Sequence, residues 1–196
     1  KFQTFTPEEL KPAIDYIIGY WRSVTRFQPK DEDSAIGLPH PYIVPTAEFN
    51  HGFTYNEMYY WDSFFTALGL YGTPHQKLAF GMLQNMRNMM NRFGFIPNAS
   101  RTYMLSRSQP PFLTSYILDV YEAKKVKDKR WLKTMMKIAQ KEYHNVWMSP
   151  KHPHSRMVFE GLSRYYDINY LHDLAEAESG WDMTSRFERE CLNYLP

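Results

Sequence analysis

Three short stretches of this 196-residue chain set polar or proton-carrying side chains among large rings. In ESGWDM, residues 178–183, Asp182 lies between Trp181 and Met183, directly after the flexible pair Ser179-Gly180. Apolar neighbours desolvate the charged form of a carboxyl and raise its pKa. That setting suits a proton donor in general acid catalysis; a turn cap beside Gly180 is the competing reading. In NEMYYWDSFF, residues 56–65, Asp62 sits among Tyr59, Tyr60, Trp61, Phe64 and Phe65. A carboxylate in that company is expected to be partly buried and to need partners, either in a ligand or at a helix end. In IPNASRTYMLSRSQPP, residues 96–111, Asn98, Arg107, Ser108 and Gln109 gather fork-like amide and guanidinium groups on one loop. They suit hydrogen bonding to a ligand and equally suit ordinary turn and cap chemistry.

Composition narrows the ligand. Aromatic content is 17%, with 15 Tyr, 13 Phe and 5 Trp. Flat amphipathic rings suit a ligand that is both greasy and hydroxylated, such as a sugar, or a core built from large side chains. The formal net charge of +2 is too mild to imply nucleic acid. The basic run KKVKDKR at 124–130 follows an apolar helical segment and reads as a solvated helix end favoured by the dipole. Dinucleotide, P-loop, C-x-x-C and G-x-S-x-G signatures are missing. His152-Pro153-His154 lacks a third ligand, so neither a metal nor another cofactor is expected. Lone Cys191 cannot form an internal disulfide. With no run of about 18 apolar residues, no membrane span is expected. No signal peptide is visible, but the chain starts at Lys1 without methionine, which leaves the compartment open.

Helices must position these stretches. Thr6-Pro7-Glu8-Glu9 predicts a capping box with proline at the first helical position. Behind it Leu10, Ile14, Ile17, Ile18, Trp21 and Val24 recur at helical spacing. A long loop at about 28–56, rich in Pro, Gly and Asp, reads as functional or disordered. A second helix is predicted over 57–70, ending at YGTP. Thr73-Pro74 caps a third, which carries Leu78, Met82, Leu83, Met86, Met89 and Met90 and ends at Gly94; its methionines read as core filler. The loop at 94–111 follows. A fourth helix carries Leu113, Tyr116, Ile117, Val120 and Tyr121, and a fifth runs from Trp131 to Trp147. Weak strand or loop character at 157–170 precedes a short helix at about 171–178, which delivers the chain to Gly180. Without βαβ alternation the class is all-α.

The order of the motifs adds a resemblance. LPHPYIVP (38–45), EMYYWDSFFTALGL (57–70), FIPNASRTYMLSRSQPP (95–111) and ESGWDMTSRF (178–187) each resemble a segment of the trehalases, with nearly family-like gaps. Trehalases are inverting glycoside hydrolases with an (α/α)6 barrel. The resemblance implies Asp182 as general acid, in the family's S-G-W-D motif. It implies Trp61 and Asp62 lining the glucosyl subsite, sugar contacts from Asn98, Arg107, Ser108 and Gln109, and the Gly180 backbone offered to the sugar. A small carbohydrate is the implied substrate, an α-linked glucoside such as trehalose. An inverting pair of carboxyls stands ~6.5–9.5 Å apart to admit water.

Two departures bear on specificity. The family's P-G-G-R-F segment is replaced by PTAEFNHGFTYNEM, and no arginine occurs between Pro45 and Trp61. The arginine segment expected shortly before S-G-W-D is not evident in YYDINYLHDLAEAESGWD. Another α-glycoside, such as a glycosyl-glycerate, is therefore expected to compete with trehalose. The family's catalytic base, a glutamate, and its Q-W-D segment fall downstream of Pro196. The expectation is that residues 1–196 form the N-terminal part of one (α/α)6 domain, about its first half, inactive alone and completed by a second chain or a C-terminal segment. A non-catalytic sugar-binding half-barrel and a helical interaction scaffold are the alternatives.

Overall fold

The computed structural model describes residues 4–47, 54–123, 127–149, 157–159 and 161–164. Gly180, Asp182, Cys191, the histidine pair at 152 and 154 and the helix expected at 171–178 lie outside the described residues.

Five α-helices carry the fold: α1 (Pro7–Tyr20), α2 (Tyr60–Leu70), α3 (Gln76–Phe93), α4 (Leu113–Ala123) and α5 (Lys129–Glu142). Helix α1 starts at the expected capping box. Thr6 Oγ1 accepts from Glu9 N at 3.3 Å, and Glu9 Oε2 accepts from Thr6 N at 2.8 Å. Its apolar stripe does not enter the core: Leu10, Ile14 and Ile17 are 42%, 48% and 51% exposed. Helix α3 packs against α2, α4 and α5 and is the hub of the core. Met82, Met86, Met89 and Met90 are buried along it, as core filler should be. Each large side chain so buried contributes about 1.5–3 kcal/mol. Gly94 ends α3 in the left-handed region, φ +84, and donates to Met90 O at 3.0 Å. A side chain there would be strained, which is why glycine stops the helix.

Three boundaries differ from the sequence expectation. Helix α2 begins at Tyr60 rather than 57, because residues 58–60 pair with the 98–100 segment instead of coiling. Ser100 N donates to Met58 O at 3.0 Å, and Tyr60 N donates to Asn98 O at 3.2 Å. Helix α3 begins at Gln76; Thr73 closes a turn before it, its Oγ1 donating to Leu70 O at 2.7 Å and accepting from His75 N at 3.1 Å. The fifth helix ends as α at Glu142 and continues as a π-helical turn, Tyr143–Trp147. Its start is fixed by Asp128, whose carboxylate accepts from Arg130 N and Trp131 N.

The described part of the long segment after α1, residues 21–47, is packed rather than loose. Strands β1 (Thr25–Arg26) and β2 (Tyr42–Ile43) pair antiparallel, with Thr25 opposite Ile43. Ile36, Leu38, Tyr42 and Val44 are buried. Fully buried Asn85 of α3 pins this segment to the helices: its Oδ1 accepts from His40 N at 3.0 Å and its Nδ2 donates to His40 O at 2.8 Å. In the region given weak strand character, β3 (Met157–Phe159) pairs antiparallel with β4 (Leu162–Ser163).

Candidate functional site

The described part of the site is built where α2 and α4 begin. The segment 98–101 runs between two neighbours and ties both to itself. On one side it bonds to residues 58–60; on the other, Ile36 N donates to Ser100 O at 3.0 Å and Thr102 N to Ser34 O at 2.8 Å. Within the loop, Asn98 N donates to Arg107 O at 2.9 Å, so the two ends of the polar stretch close on each other.

Gln109 joins that loop to α2. Its Oε1 accepts from Trp61 N at 2.9 Å, capping a backbone donor that no turn of the helix satisfies. Its Nε2 reaches Asp62 Oδ2 at 3.4 Å. One carboxamide thus serves the helix start and orients a carboxylate. Burial pushes the Asp62 carboxyl above the usual range; the backbone N–H of Asp62 and the Gln109 amide pull it back only in part. Trp61 makes edge contact with Phe65, centroids 6.1 Å apart, and Phe112 stacks on Phe64 at 4.8 Å beside them.

Arg107, Ser108 and Gln109 are consecutive, polar and buried, Arg107 to 1% exposure. Burying a guanidinium requires partners; Arg107 Nη1 donates to Ser106 Oγ at 3.4 Å, and Ser108 Oγ donates to Gln109 O at 3.3 Å. Asn98 is buried too. Its Nδ2 points to Met104 Sδ at 3.8 Å, while its Oδ1 has no hydrogen-bond partner among the described residues. A buried carbonyl oxygen left without a donor requires a reason. The structure therefore brings Trp61, Asp62 and Gln109 into direct contact and couples Asn98 to Arg107 through the backbone.

Two supporting pairs were not read from the sequence. Glu57 is buried and accepts from Arg101 Nε, Tyr59 OH and Asn56 N, each at 3.1 Å, while Arg101 Nη1 donates to Ser34 Oγ at 3.0 Å. Burial and the adjacent Glu57 carboxylate push the Tyr59 phenol far up, so it stays a donor. Tyr60, fully buried, donates to Glu142 Oε1 at 2.8 Å and accepts from Leu113 N at 3.0 Å. That hydroxyl locks the first residue of α2 to the first of α4 and the last of α5. Burial, then the Glu142 carboxylate, raise its pKa well above the ordinary value. Glu57 opens the same aromatic stretch as Asp62, a signal that was available; Glu142 sits on an otherwise charged helix and gave none.

Among the described residues no group of three His, Cys, Asp or Glu side chains is placed to hold a metal ion, and no helix is long and apolar enough to cross a membrane.

Comparison with known proteins follows the same residues. A family profile described as Trehalase matches residues 7–173. A periplasmic trehalase of Xanthomonas campestris pv. campestris (strain B100) is 34% identical over 211 residues, covering 88% of this chain and 35% of that protein. A periplasmic trehalase of Pseudomonas aeruginosa is 32% identical over 223 residues, covering 94% and 39%. Among solved structures, the neutral trehalase of Saccharomyces cerevisiae matches with a TM-score of 0.58 at 28% identity, covering 99% of this chain and 33% of that one. The chain spans about 35% of the length of the first of these relatives.

Proposed function

The chain belongs to the trehalase family, and from that premise we propose that it carries the sugar-binding wall and the proton donor of an inverting α-glucosidase. In this reading it is the N-terminal part of one (α/α)6 catalytic domain, its mostly helical fold being a fragment of an all-α toroid. Trp61 offers a flat face to the glucosyl ring. Asp62 and Gln109, held together, accept from and donate to neighbouring sugar hydroxyls. Arg107 and Ser108 line the same wall, and Gly180 presents its backbone. The observation that carries the reading is the partly buried Asp62, oriented by Gln109 beside Trp61 and Phe65, next to a loop that buries Asn98, Arg107 and Ser108. A sugar hydroxyl donating to the Asp62 carboxylate makes a hydrogen bond to a charged group, about 1.5–3 kcal/mol.

Asp182 then protonates the glycosidic oxygen as its bond to the anomeric carbon breaks. A carboxylate base, supplied from outside residues 1–196, takes a proton from water as the water attacks from the opposite face. From α,α-trehalose this gives one β-glucose by inversion and one α-glucose as the leaving group. Proton NMR of the complete gene product acting on trehalose tests this: α- and β-anomers forming in equal amounts before mutarotation support the reading. Two α-anomers, or no hydrolysis, reject it. The relatives described as periplasmic support an exported location.

A second reading concerns the substrate. The segment that replaces P-G-G-R-F lacks its arginine. The nearby Arg26 is engaged with the carbonyls of Ser23 and Thr25 and with Asn56, and Arg101 with Glu57 and Ser34. Neither replaces the lost cation, which favours an α-glycoside whose binding does not depend on that arginine.

A further inference from the structure

A cleft of about 250 Å³ opens beside β1 and the turn at 32–35, and neither Trp61, Asp62, Asn98 nor Gln109 lines it. Its wall is rigid. Arg26 Nη1 donates to Ser23 O at 2.7 Å and Thr25 O at 3.0 Å, and its Nε donates to Asn56 Oδ1 at 3.3 Å. Arg101 is held by Glu57 and Ser34. The turn is closed from both ends, Ala35 N donating to Glu32 O at 2.8 Å and Glu32 N to Ala35 O at 3.2 Å. Inside it Asp33 takes φ +50 and is the one non-glycine residue at positive φ among the described residues. Aspartate is one of the few residues that tolerate this region.

Against these fixed groups stand several with hydrogen-bonding capacity unused by the protein. The Asp33 carboxylate, Gln28 Oε1 and Asn56 Nδ2 appear in no protein hydrogen bond among the described residues, although all three residues line the cleft. Phe27, also in the lining, leaves 57% of its surface exposed. The charges oppose one another: Arg26 and Arg101 face Glu32 and Asp33. An anion entering meets two carboxylates and a cation meets two guanidinium groups, so neither sign gains. A neutral compound rich in hydroxyls gains from both kinds of group, because each hydroxyl donates and accepts. An exposed aromatic face suits the C–H side of a pyranose. The volume lies below the ~300–1,000 Å³ of sites for drug-sized ligands, which restricts the occupant to about one ring.

We propose that this cleft is a second, non-catalytic binding site for a single neutral hexose unit. It stands independently of the hydrolytic reading. The test is titration of the complete gene product with methyl α-D-glucopyranoside, followed by calorimetry, on the wild type, Phe27→Ala and Asp33→Gly. Asp33→Gly removes the carboxylate while keeping the backbone conformation of the turn, so it reports even where Phe27→Ala fails to fold. The expected result is a saturable binding component that weakens about tenfold or more in both variants, in Asp33→Gly through loss of a hydrogen bond to a charged group and in Phe27→Ala through loss of the ring face. Hydrolysis of trehalose keeps its wild-type rate in both. Binding indifferent to both substitutions, or no saturable binding, overturns the assignment. The hydrolysis assay is read separately, so failure of the proposed reaction leaves this result interpretable.

Discussion

Replacing Gln109 with leucine removes a single side chain that serves both α2 and Asp62. The volume is nearly kept, so the change is chemical rather than a cavity. The Trp61 N–H loses its acceptor at 2.9 Å, a bond of good length at a helix start. An unsatisfied donor there costs about 1–3 kcal/mol, and loss of a helix cap typically about 1 kcal/mol; these describe the same group, so about 2 kcal/mol is the expected loss. The 3.4 Å contact with Asp62 lies past the best hydrogen-bond length and adds little to stability. It does help hold the Asp62 carboxyl down, so its removal raises that pKa further. Gln109→Glu separates the two roles. It keeps an acceptor for Trp61 N but faces Asp62 with a second carboxyl, and like charges push a carboxyl's pKa up. Urea denaturation should show Gln109→Leu destabilised by about 2 kcal/mol and Gln109→Glu close to wild type at low pH, weakening as pH rises. Sugar affinity should fall in both by about fivefold or more. A Gln109→Leu protein with unchanged stability and unchanged affinity would refute this account of the residue.

Asp62→Asn should stabilise the fold at neutral pH. The folded-state pKa of Asp62 is raised by burial, so its contribution to stability is fully present below the unfolded pKa and is lost as pH rises through the folded value. Asparagine carries no charge to desolvate, and the melting temperature of the variant should exceed wild type by a margin that grows as pH rises from the unfolded to the folded pKa and stays constant above it, while sugar binding falls. Tyr60→Phe removes a bond to the buried Glu142 carboxylate and the acceptor of Leu113 N; a loss of about 1.5–3 kcal/mol in chemical denaturation is expected. A panel of α-linked disaccharides and glycosyl-glycerates tests specificity: with PTAEFNHGFTYNEM in place of the arginine segment, another α-glycoside should rival trehalose. Trehalose leading by orders of magnitude would reject that expectation.

Helix existence was legible because 3.6-residue periodicity is local. Leu78, Met82, Met86 and Met89 point one way whatever the rest of the chain does; the methionines are buried as expected and Leu78 packs, partly buried, against them. Boundaries were less legible where distant residues intervene. Residues 57–59 stay out of the helix because Met58 and Tyr60 pair with Ser100 and Asn98, about forty positions away, and no local pattern announces that pairing. The periodic stripe of α1 gave a helix but not its surroundings: periodicity says which residues share a face, not whether anything described covers it. The aromatic setting of Asp62 correctly announced burial, and its partner Gln109 lay in the other stretch already singled out. The expected cap chemistry of that loop is present as well, since Gln109 caps α2. Glu142 was missed because a carboxylate among the lysines of α5 looks like surface until Tyr60 is seen to reach it.

The account rests most heavily on Asp182 as proton donor, and substitution by asparagine in the complete gene product tests it most directly. The shape is kept and the transferable proton lost, so turnover of trehalose should fall by about 10²–10⁴-fold while substrate still binds. An aryl α-glucoside with a good leaving group needs less protonation and should lose far less. Equal losses on both substrates, with an unchanged alkaline limb of the rate profile, would contradict the assignment.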